Sequence, residues 1–268
     1  MMMKTPRLEQ CAPRVAIGRT IFGETFGWIA GPCAVESAGQ LRCCAKTVRQ
    51  CGVSILRGGL FKPRSSPYSF QGLGREGFEL VRAIREEFGL AFVTEAVDAE
   101  SLRLLLPLAD AIQIGSRNCL NYALLKEAGR SGKPVILKRG FAVTVEEYLN
   151  AAEYLALEGA TEIILCERGI RTVTEVTRFT LDLGAVAWLK ARFPMPVIAD
   201  PSHAAGEAAL VPPLTLAAAA AGADGAMIEC TPEPGNARSD AGQQLTLEQF
   251  VRLLEQTENI LRGRSAPC

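Results

Sequence analysis

The chain has 268 residues, and its 29 lysines and arginines balance 29 aspartates and glutamates. This zero net charge gives no indication of a nucleic-acid or anionic-membrane partner, and no window is long and apolar enough to span a bilayer. The nine cysteines include no C-x-x-C pair and are too sparse for a disulfide-rich secreted protein. We therefore expect a cytoplasmic protein whose cysteines are free thiols.

Residues 1–27 are expected to form a short N-terminal segment before the main fold. They have no apolar run typical of a signal peptide. Within them, the stretch 15–23 alternates apolar and polar residues around Gly18, which predicts a small hairpin. Residues 28–264 are expected to form one catalytic domain with no appended regulatory domain.

From residue 28 onward, short apolar runs alternate with amphipathic stretches, and the pattern repeats eight times. The predicted strands are Trp28–Cys33, Ser54–Leu60, Ala91–Ala96, Ala111–Ser116, Val135–Lys138, Glu162–Cys166, Val197–Asp200 and Gly225–Glu229. Helices predicted between and after them include Arg75–Phe88, Val145–Leu157 and Thr246–Leu261. Thr246 and Gln249 have the spacing of a capping box at the start of the last helix.

Several of these strands are apolar at successive positions, which is typical of strands covered on both faces. Eight such β-α units predict an α/β protein with a closed (β/α)8 TIM barrel, and a doubly wound open sheet is the alternative. Active sites of TIM barrels lie at the C-terminal ends of the strands. The polar residues of this chain fall at those ends, so we expect them to converge.

His203 is the single histidine of the chain, and it follows the seventh predicted strand. A lone histidine is more often a packed or surface residue than a ligand. Here it is joined by Cys33 at the end of the first strand, by Glu229 at the end of the eighth, and by Asp240 in the loop after that. This mixed set suits a divalent transition metal such as manganese, iron, cobalt or zinc. Two further cysteines beside strand ends are alternatives to Cys33 as the thiolate ligand: Cys166 and Cys230.

Cations are concentrated at the same predicted end of the barrel. They are Arg57, Lys62, Arg64, Arg117, Lys138, Arg139 and Arg168. So many cations around one mouth repel each other unless anions bind there, so we expect polyanionic substrates. Arg139 is the cation most expected to have a structural role instead, in an ion pair with Glu95 or Glu167.

The densest group of these cations lies in the stretch 56–66, where an apolar strand runs into glycines and then into cations and hydroxyls. Gly58, Gly59 and Pro63 bend the chain, so that Arg57 and Lys62 can face one anion while the residues after Pro63 face another. A solvated basic loop is the alternative.

With these residues in view, the chain closely resembles the short microbial form of 3-deoxy-D-arabino-heptulosonate 7-phosphate (DAHP) synthases, over about residues 15–255. The motifs that carry the resemblance are Ala30-Gly31-Pro32-Cys33-Ala34-Val35-Glu36-Ser37, the stretch 56–66 followed by Tyr68-Ser69-Phe70-Gln71-Gly72, Ile114-Gly115-Ser116-Arg117-Asn118, Leu137-Lys138-Arg139-Gly140, Cys166-Glu167-Arg168-Gly169, Asp200-Pro201-Ser202-His203 and Ala237-Arg238-Ser239-Asp240. So many motifs in order, at family-like spacing, make the resemblance specific.

The resemblance implies a metal-dependent condensation of phosphoenolpyruvate with erythrose 4-phosphate, with Lys62 protonating the aldehyde oxygen. The implied catalytic residues are Lys62, Cys33 and His203, and the implied metal ligands are Cys33, His203, Glu229 and Asp240. The implied phosphoenolpyruvate contacts are Arg57, Lys62, Ser116, Arg117, Lys138 and Arg168. The implied erythrose 4-phosphate contacts are Pro63, Arg64, Ser65 and Asp240.

Two rival functions remain open. 3-Deoxy-D-manno-octulosonate 8-phosphate synthase performs the same chemistry on arabinose 5-phosphate, but Lys62-Pro63-Arg64 lacks the insertion-like turn typical of that relative. A catalytically silent barrel with a binding role is the other rival. The resemblance also implies a homo-oligomer, a tetramer or a dimer, and it leaves open control by a separate regulatory partner protein.

Overall fold

A computed structural model describes residues 5–64 and 66–264 of the chain. The expected substrate contact at Ser65 therefore lies outside the described residues. In the part that is described, no helix combines the length and the apolar character that a membrane crossing requires.

The chain begins with the expected hairpin. Strand β1 (Val15–Ile17) pairs antiparallel with β2 (Thr20–Phe22), and their buried side chains pack on the apolar residues inside the barrel. Gly27 allows this contact, because a Cβ at that position would lie 2.3 Å from the ring of Phe22. The hairpin thus closes the N-terminal end of the barrel, opposite the predicted active site.

Eight parallel strands form a closed barrel in which the last strand pairs with the first. They are β3 (Gly27–Gly31), β4 (Ile55–Arg57), β5 (Ala91–Ala96), β6 (Ala111–Ile114), β7 (Val135–Lys138), β8 (Ile163–Glu167), β9 (Val197–Ala199) and β10 (Gly225–Glu229). The (β/α)8 prediction is confirmed, and the open-sheet alternative is wrong.

Helices cover the outside of this barrel. They are α1 (Ala38–Gln50), α2 (Phe78–Phe88), α3 (Ala99–Leu105), α4 (Tyr122–Gly129), α5 (Val145–Leu157), α6 (Leu183–Arg192), α7 (Pro201–Ala205), α8 (Val211–Ala220) and α9 (Leu247–Arg264). The capping box before α9 is present. The backbone N–H of Gln249 donates to Thr246 Oγ1 at 3.2 Å, and the backbone N–H of Thr246 donates to Gln249 Oε1 at 2.8 Å. This cap satisfies backbone donors that the first helical turn leaves unpaired.

Several strands end earlier than the sequence predicts. β3 ends two residues before Cys33, and β4 ends at Arg57 rather than at Leu60. At these points the chain leaves the strand ladder and bends over the mouth of the barrel. Likewise, a 3-10 turn at Gly74–Gly77 replaces the first predicted turn of α2. The early ends matter for function, because they turn Cys33 and the cationic segment toward the barrel axis.

Candidate active site and metal centre

A cavity of about 250 Å³ opens at the C-terminal end of the barrel. Its lining residues are Lys62, Pro63, Arg64, Glu95, Gly115, Ser116, Arg117, Lys138, Phe141, Arg168, Arg171, Arg178, Phe179, His203 and Asp240. Seven of the lining side chains are lysine or arginine, and two are acidic. Such a wall attracts polyanionic ligands and concentrates them near the mouth.

A cluster of possible metal ligands lies at one side of this cavity. It contains one donor atom each from Cys33, His203, Glu229 and Asp240, and all four atoms lie within 4.8 Å of one another. His203 Nε2 is 3.4 Å from Glu229 Oε1 and 3.8 Å from Asp240 Oδ2. The barrel thus brings together four residues that the sequence separates by as many as 207 positions.

The chemistry of this cluster fits a divalent transition metal, because it offers one sulfur, one imidazole nitrogen and two carboxylates. The second ring nitrogen of His203, Nδ1, is buried and lies 2.7 Å from Asp200 Oδ2. Metal-binding histidines typically direct their other nitrogen at a carboxylate in this way, which fixes the ring orientation. Nε2 is therefore the nitrogen that faces the cluster.

Cys33 is fully buried and has three polar neighbours. Its Sγ lies 3.0 Å from Ser239 Oγ, donates to Asp240 Oδ2 at 3.3 Å, and accepts from Lys62 Nζ at 3.1 Å. Burial, aided by the charge of Glu229, raises the pKa of the thiol to about 12, although Lys62 opposes the shift. Cys33 is thus a thiol at neutral pH until a metal displaces its proton.

Glu229 is the buried acid at the end of β10. Burial alone raises the pKa of a carboxyl group, but the charges of His203 and Arg57 outweigh it and lower the pKa of Glu229 to about 2. Oε1 accepts from Arg57 Nη1 at 2.8 Å, and the backbone N–H of Glu229 donates to Ser202 Oγ at 3.0 Å. The carboxylate is thus ionised and held in place.

Lys138 and Asp200 form a second buried ion pair across the mouth. Burial raises the pKa of Asp200, but His203 and Lys138 together hold it well below its usual range. Asp200 also caps α7, because its Oδ1 accepts from the His203 N–H at 3.1 Å. One aspartate therefore orients both the histidine and the lysine.

Lys62 lies between the metal cluster and the cavity. Its Nζ donates to Cys33 Sγ and also approaches the Cys33 carbonyl at 3.4 Å. Burial lowers the pKa of a lysine, but the Cys33 sulfur, when it is ionised, and the Glu229 carboxylate outweigh this effect and raise the pKa of Lys62. Lys62 is therefore an ammonium at neutral pH and can act as an acid rather than as a base.

Four arginines at the cavity make no ion pair with any residue that the structure describes: Arg64, Arg117, Arg168 and Arg171. Arg64 donates to the carbonyls of Phe70 and Arg238, and Arg117 donates to the carbonyl of Pro63. Arg168 donates to the carbonyls of Gly169 and His203, and it lies over the ring of Phe179 at 4.3 Å and over that of Phe141 at 5.8 Å. These guanidinium groups are available to bind anions bidentately.

Arg139 behaves differently from its neighbours. Its Nη1 lies 2.9 Å from both Glu167 Oε2 and Asp182 Oδ2, so its expected pairing with Glu167 is confirmed. The alternative thiolates do not join the cluster. Cys166 and Cys230 are both buried among apolar residues, and neither belongs to the group of four possible ligands.

The sequence did not indicate several polar residues at the site. Ser239 contacts Cys33, Gln243 contacts Glu229, and Arg178 lines the cavity. Asp240 has φ 48°, a left-handed conformation that is uncommon for a residue other than glycine. This bend brings the residues around Asp240 back to the barrel axis. The spacing of Gln243, three residues after a ligand, was the one available signal.

The model of the DAHP synthetase I family matches residues 9–262. Phospho-2-dehydro-3-deoxyheptonate aldolase of Thermotoga maritima is 48% identical over 235 residues, which is 88% of this chain and 70% of that protein. The crystal structure of the Thermotoga maritima DAHP synthase matches with a TM-score of 0.91 and 45% identity, covering 93% of this chain and 74% of the other. A 2-dehydro-3-deoxyphosphooctonate aldolase of Nitratidesulfovibrio vulgaris is 32% identical over 272 residues, 95% of this chain and 96% of that protein. The match over nearly the whole barrel shows that this chain belongs to the DAHP synthetase I family.

Proposed function

We propose that this protein is a transferase that condenses phosphoenolpyruvate with D-erythrose 4-phosphate, giving DAHP and inorganic phosphate. This reaction is the first step of the shikimate pathway. Family membership supports the proposal. The single observation that carries it is the position of Lys62, whose ammonium lies between the Cys33 sulfur of the metal cluster and a cavity lined by cations.

The cations of the candidate site divide into two proposed groups. Arg57, Lys138, Arg117 and Arg168, with Lys62 and Ser116, bind phosphoenolpyruvate. Arg64, with Pro63, Ser65 and Asp240, binds erythrose 4-phosphate. In support, Arg64, Arg117 and Arg168 have no acidic partner among the described residues, so substrate anions can bind them without displacing an ion pair.

Cys33, His203, Glu229 and Asp240 would hold the divalent metal, which is manganese, iron, cobalt or zinc in this proposal. When bound, the metal supplies Lewis-acid chemistry at the aldehyde oxygen. The chain itself holds its donors ready for the ion: Asp200 orients His203, and Arg57 keeps Glu229 ionised. The buried thiol of Cys33 gives up its proton when the site is loaded.

In the proposed mechanism, C3 of phosphoenolpyruvate forms a bond to the aldehyde carbon, and Lys62 gives a proton to the aldehyde oxygen. Its position beside the cluster suits this task, and its raised pKa keeps the amine protonated before the transfer. Water then adds at C2, and the proton it loses restores the Lys62 ammonium. The bond from C2 to the phosphate oxygen breaks, which leaves a ketone at C2, and inorganic phosphate leaves with the second proton of that water. Arg117 and Arg168 would hold that phosphate as its negative charge increases.

The acceptor aldehyde is the part of the proposal with a close rival. The octulosonate family uses the same chemistry on a sugar phosphate longer by one carbon, and a relative of that name is 32% identical. Pro63 lines the cavity between Lys62 and Arg64 and keeps this turn short. The short turn favours erythrose 4-phosphate.

A direct test is an assay of phosphoenolpyruvate consumption by protein that has been stripped with a chelator and reloaded with each of the four metals. Erythrose 4-phosphate and arabinose 5-phosphate are compared as acceptors. We expect consumption with erythrose 4-phosphate and little with arabinose 5-phosphate. The reverse preference would assign the protein to the octulosonate reaction. No metal uptake and no consumption would favour a silent binding barrel.

A further inference from the structure

Gln243 is a buried side chain, 2% exposed, in the loop after β10. Its Nε2 donates to Glu229 Oε2 at 2.6 Å, and its Oε1 accepts from Arg178 Nη1 at 3.1 Å. A carboxylate has no proton to donate, and a guanidinium has no lone pair to accept with. One orientation of the amide therefore satisfies both neighbours, and Arg178 selects it.

The two oxygens of Glu229 have separate partners. Oε1 bonds to Arg57 and lies 3.4 Å from His203 Nε2, on the side of the metal cluster. Oε2 is held by Gln243. With both oxygens and the backbone N–H engaged, rotation of the carboxylate breaks at least one buried hydrogen bond. Gln243 thus fixes which oxygen of the Glu229 carboxylate is directed at the metal cluster.

Arg178 connects this contact to the cavity. Its guanidinium lines the cavity wall, packs over the Phe179 ring at 5.7 Å, and lies 3.7 Å from Asp240 Oδ1. It therefore contacts one acidic ligand of the cluster directly and reaches Glu229 through the amide of Gln243. A single arginine at the mouth is linked to both carboxylates.

We propose that Gln243 is a positioning residue of the metal centre, and that it links the orientation of Glu229 to Arg178 at the cavity wall. This inference rests on the metal site of the proposed function. Removing the amide frees Oε2 and loosens the coordination geometry. Loss of such an outer contact typically weakens metal binding by about 10- to 100-fold.

The test is a cobalt titration of the chelator-treated full chain. Binding is monitored through the absorption band of the bond between cobalt and the Cys33 thiolate. Gln243→Met keeps the length of the side chain and removes both polar groups. Gln113→Met is a matched control, since Gln113 is also buried and its side-chain amide bonds to Glu95, which is not one of the four residues of the cluster. We expect cobalt affinity to fall about 10- to 100-fold in Gln243→Met and to stay within about twofold in the control.

Equal cobalt affinities of the wild type and Gln243→Met would overturn the positioning role of Gln243 and leave the proposed metal site intact. A wild type that binds no cobalt would overturn the metal site and the inference with it. If Gln243→Met does not fold, Gln243→Ser tests the same contact.

The link to Arg178 has its own test, since Arg178→Met alters an exposed side chain and should leave the fold intact. Its effect on cobalt affinity is measured in the wild type and in Gln243→Met. We expect the two effects to differ by more than about twofold, because the residues act through one contact. Identical effects in both backgrounds would overturn the link.

Discussion

Arg57 Nη1 donates a 2.8 Å hydrogen bond to Glu229 Oε1, and both side chains are almost completely buried. In the proposed function, one of these residues binds phosphoenolpyruvate and the other binds the metal. The proposed phosphoenolpyruvate site and the proposed metal site are thus joined by one ion pair. A change at either residue should therefore alter both metal binding and substrate binding.

Arg57→Met should destabilise the metal-free protein by about 3 kcal/mol, because it leaves the Glu229 carboxylate buried without its cationic partner. Chemical unfolding of the metal-free protein measures this loss. Arg42→Met is the control, since Arg42 pairs with Glu87 at the surface and its loss should change stability little. Equal losses in the two variants would show that burial of the Arg57 pair has no special energetic effect.

Stability of the metal-free protein should fall in acid because of Glu229. Its pKa is about 2 in the folded chain, below its ordinary value of 4.5. Its contribution, on the order of 3 kcal/mol, is therefore present above about pH 4.5 and is lost as the pH falls toward 2. Thermal unfolding between pH 6 and pH 3 should show a smaller decline in Glu229→Gln than in the wild type. Parallel declines would contradict the assignment of this loss to Glu229.

Metal binding should release a proton from Cys33, whose thiol has a pKa of about 12 in the metal-free protein. At pH 7.5, the wild type should release about one proton more per bound cobalt than Cys33→Ala does. Calorimetric titration in buffers with different ionisation enthalpies counts these protons. The same reasoning predicts that metal affinity rises with pH. Equal proton counts would show that the sulfur is not a ligand.

The sequence predicted the residues whose position follows from the strand pattern. Cys33, His203 and Glu229 lie at the C-terminal ends of barrel strands or within four residues of them, so closure of the barrel brings them together whatever their separation in the chain. Asp240 was expected from its place in the polar loop after the eighth strand, and the family resemblance also implied it. Its left-handed backbone could not be predicted, because the sequence has no glycine there.

Contacts across the mouth were not predictable in the same way. Lys138 is the last residue of β7 and Asp200 follows β9, so β8 lies between them in the barrel. Their pairing depends on the barrel radius and on side-chain rotamers, which residue spacing does not specify. Gln243 was missed because an amide in an irregular loop belongs to no periodic pattern. Polar side chains whose role is to hold another polar side chain in place generally leave no periodic signal in the sequence.

Lys62→Met should lower kcat by about 10² to 10⁴, because the variant loses the group that protonates the aldehyde oxygen. Lys62→Arg separates proton donation from charge: a guanidinium keeps the positive charge, but its pKa is too high for efficient proton transfer. We expect Lys62→Arg to remain nearly as slow as Lys62→Met. The control is Lys190→Met, since Lys190 pairs with Asp224 away from the cavity and should leave turnover unchanged. Steady-state assays with a saturating metal supply make the comparison. Turnover of Lys62→Met near the wild-type value would exclude Lys62 as the proton donor, and full activity of Lys62→Arg would reduce its role to that of a charge.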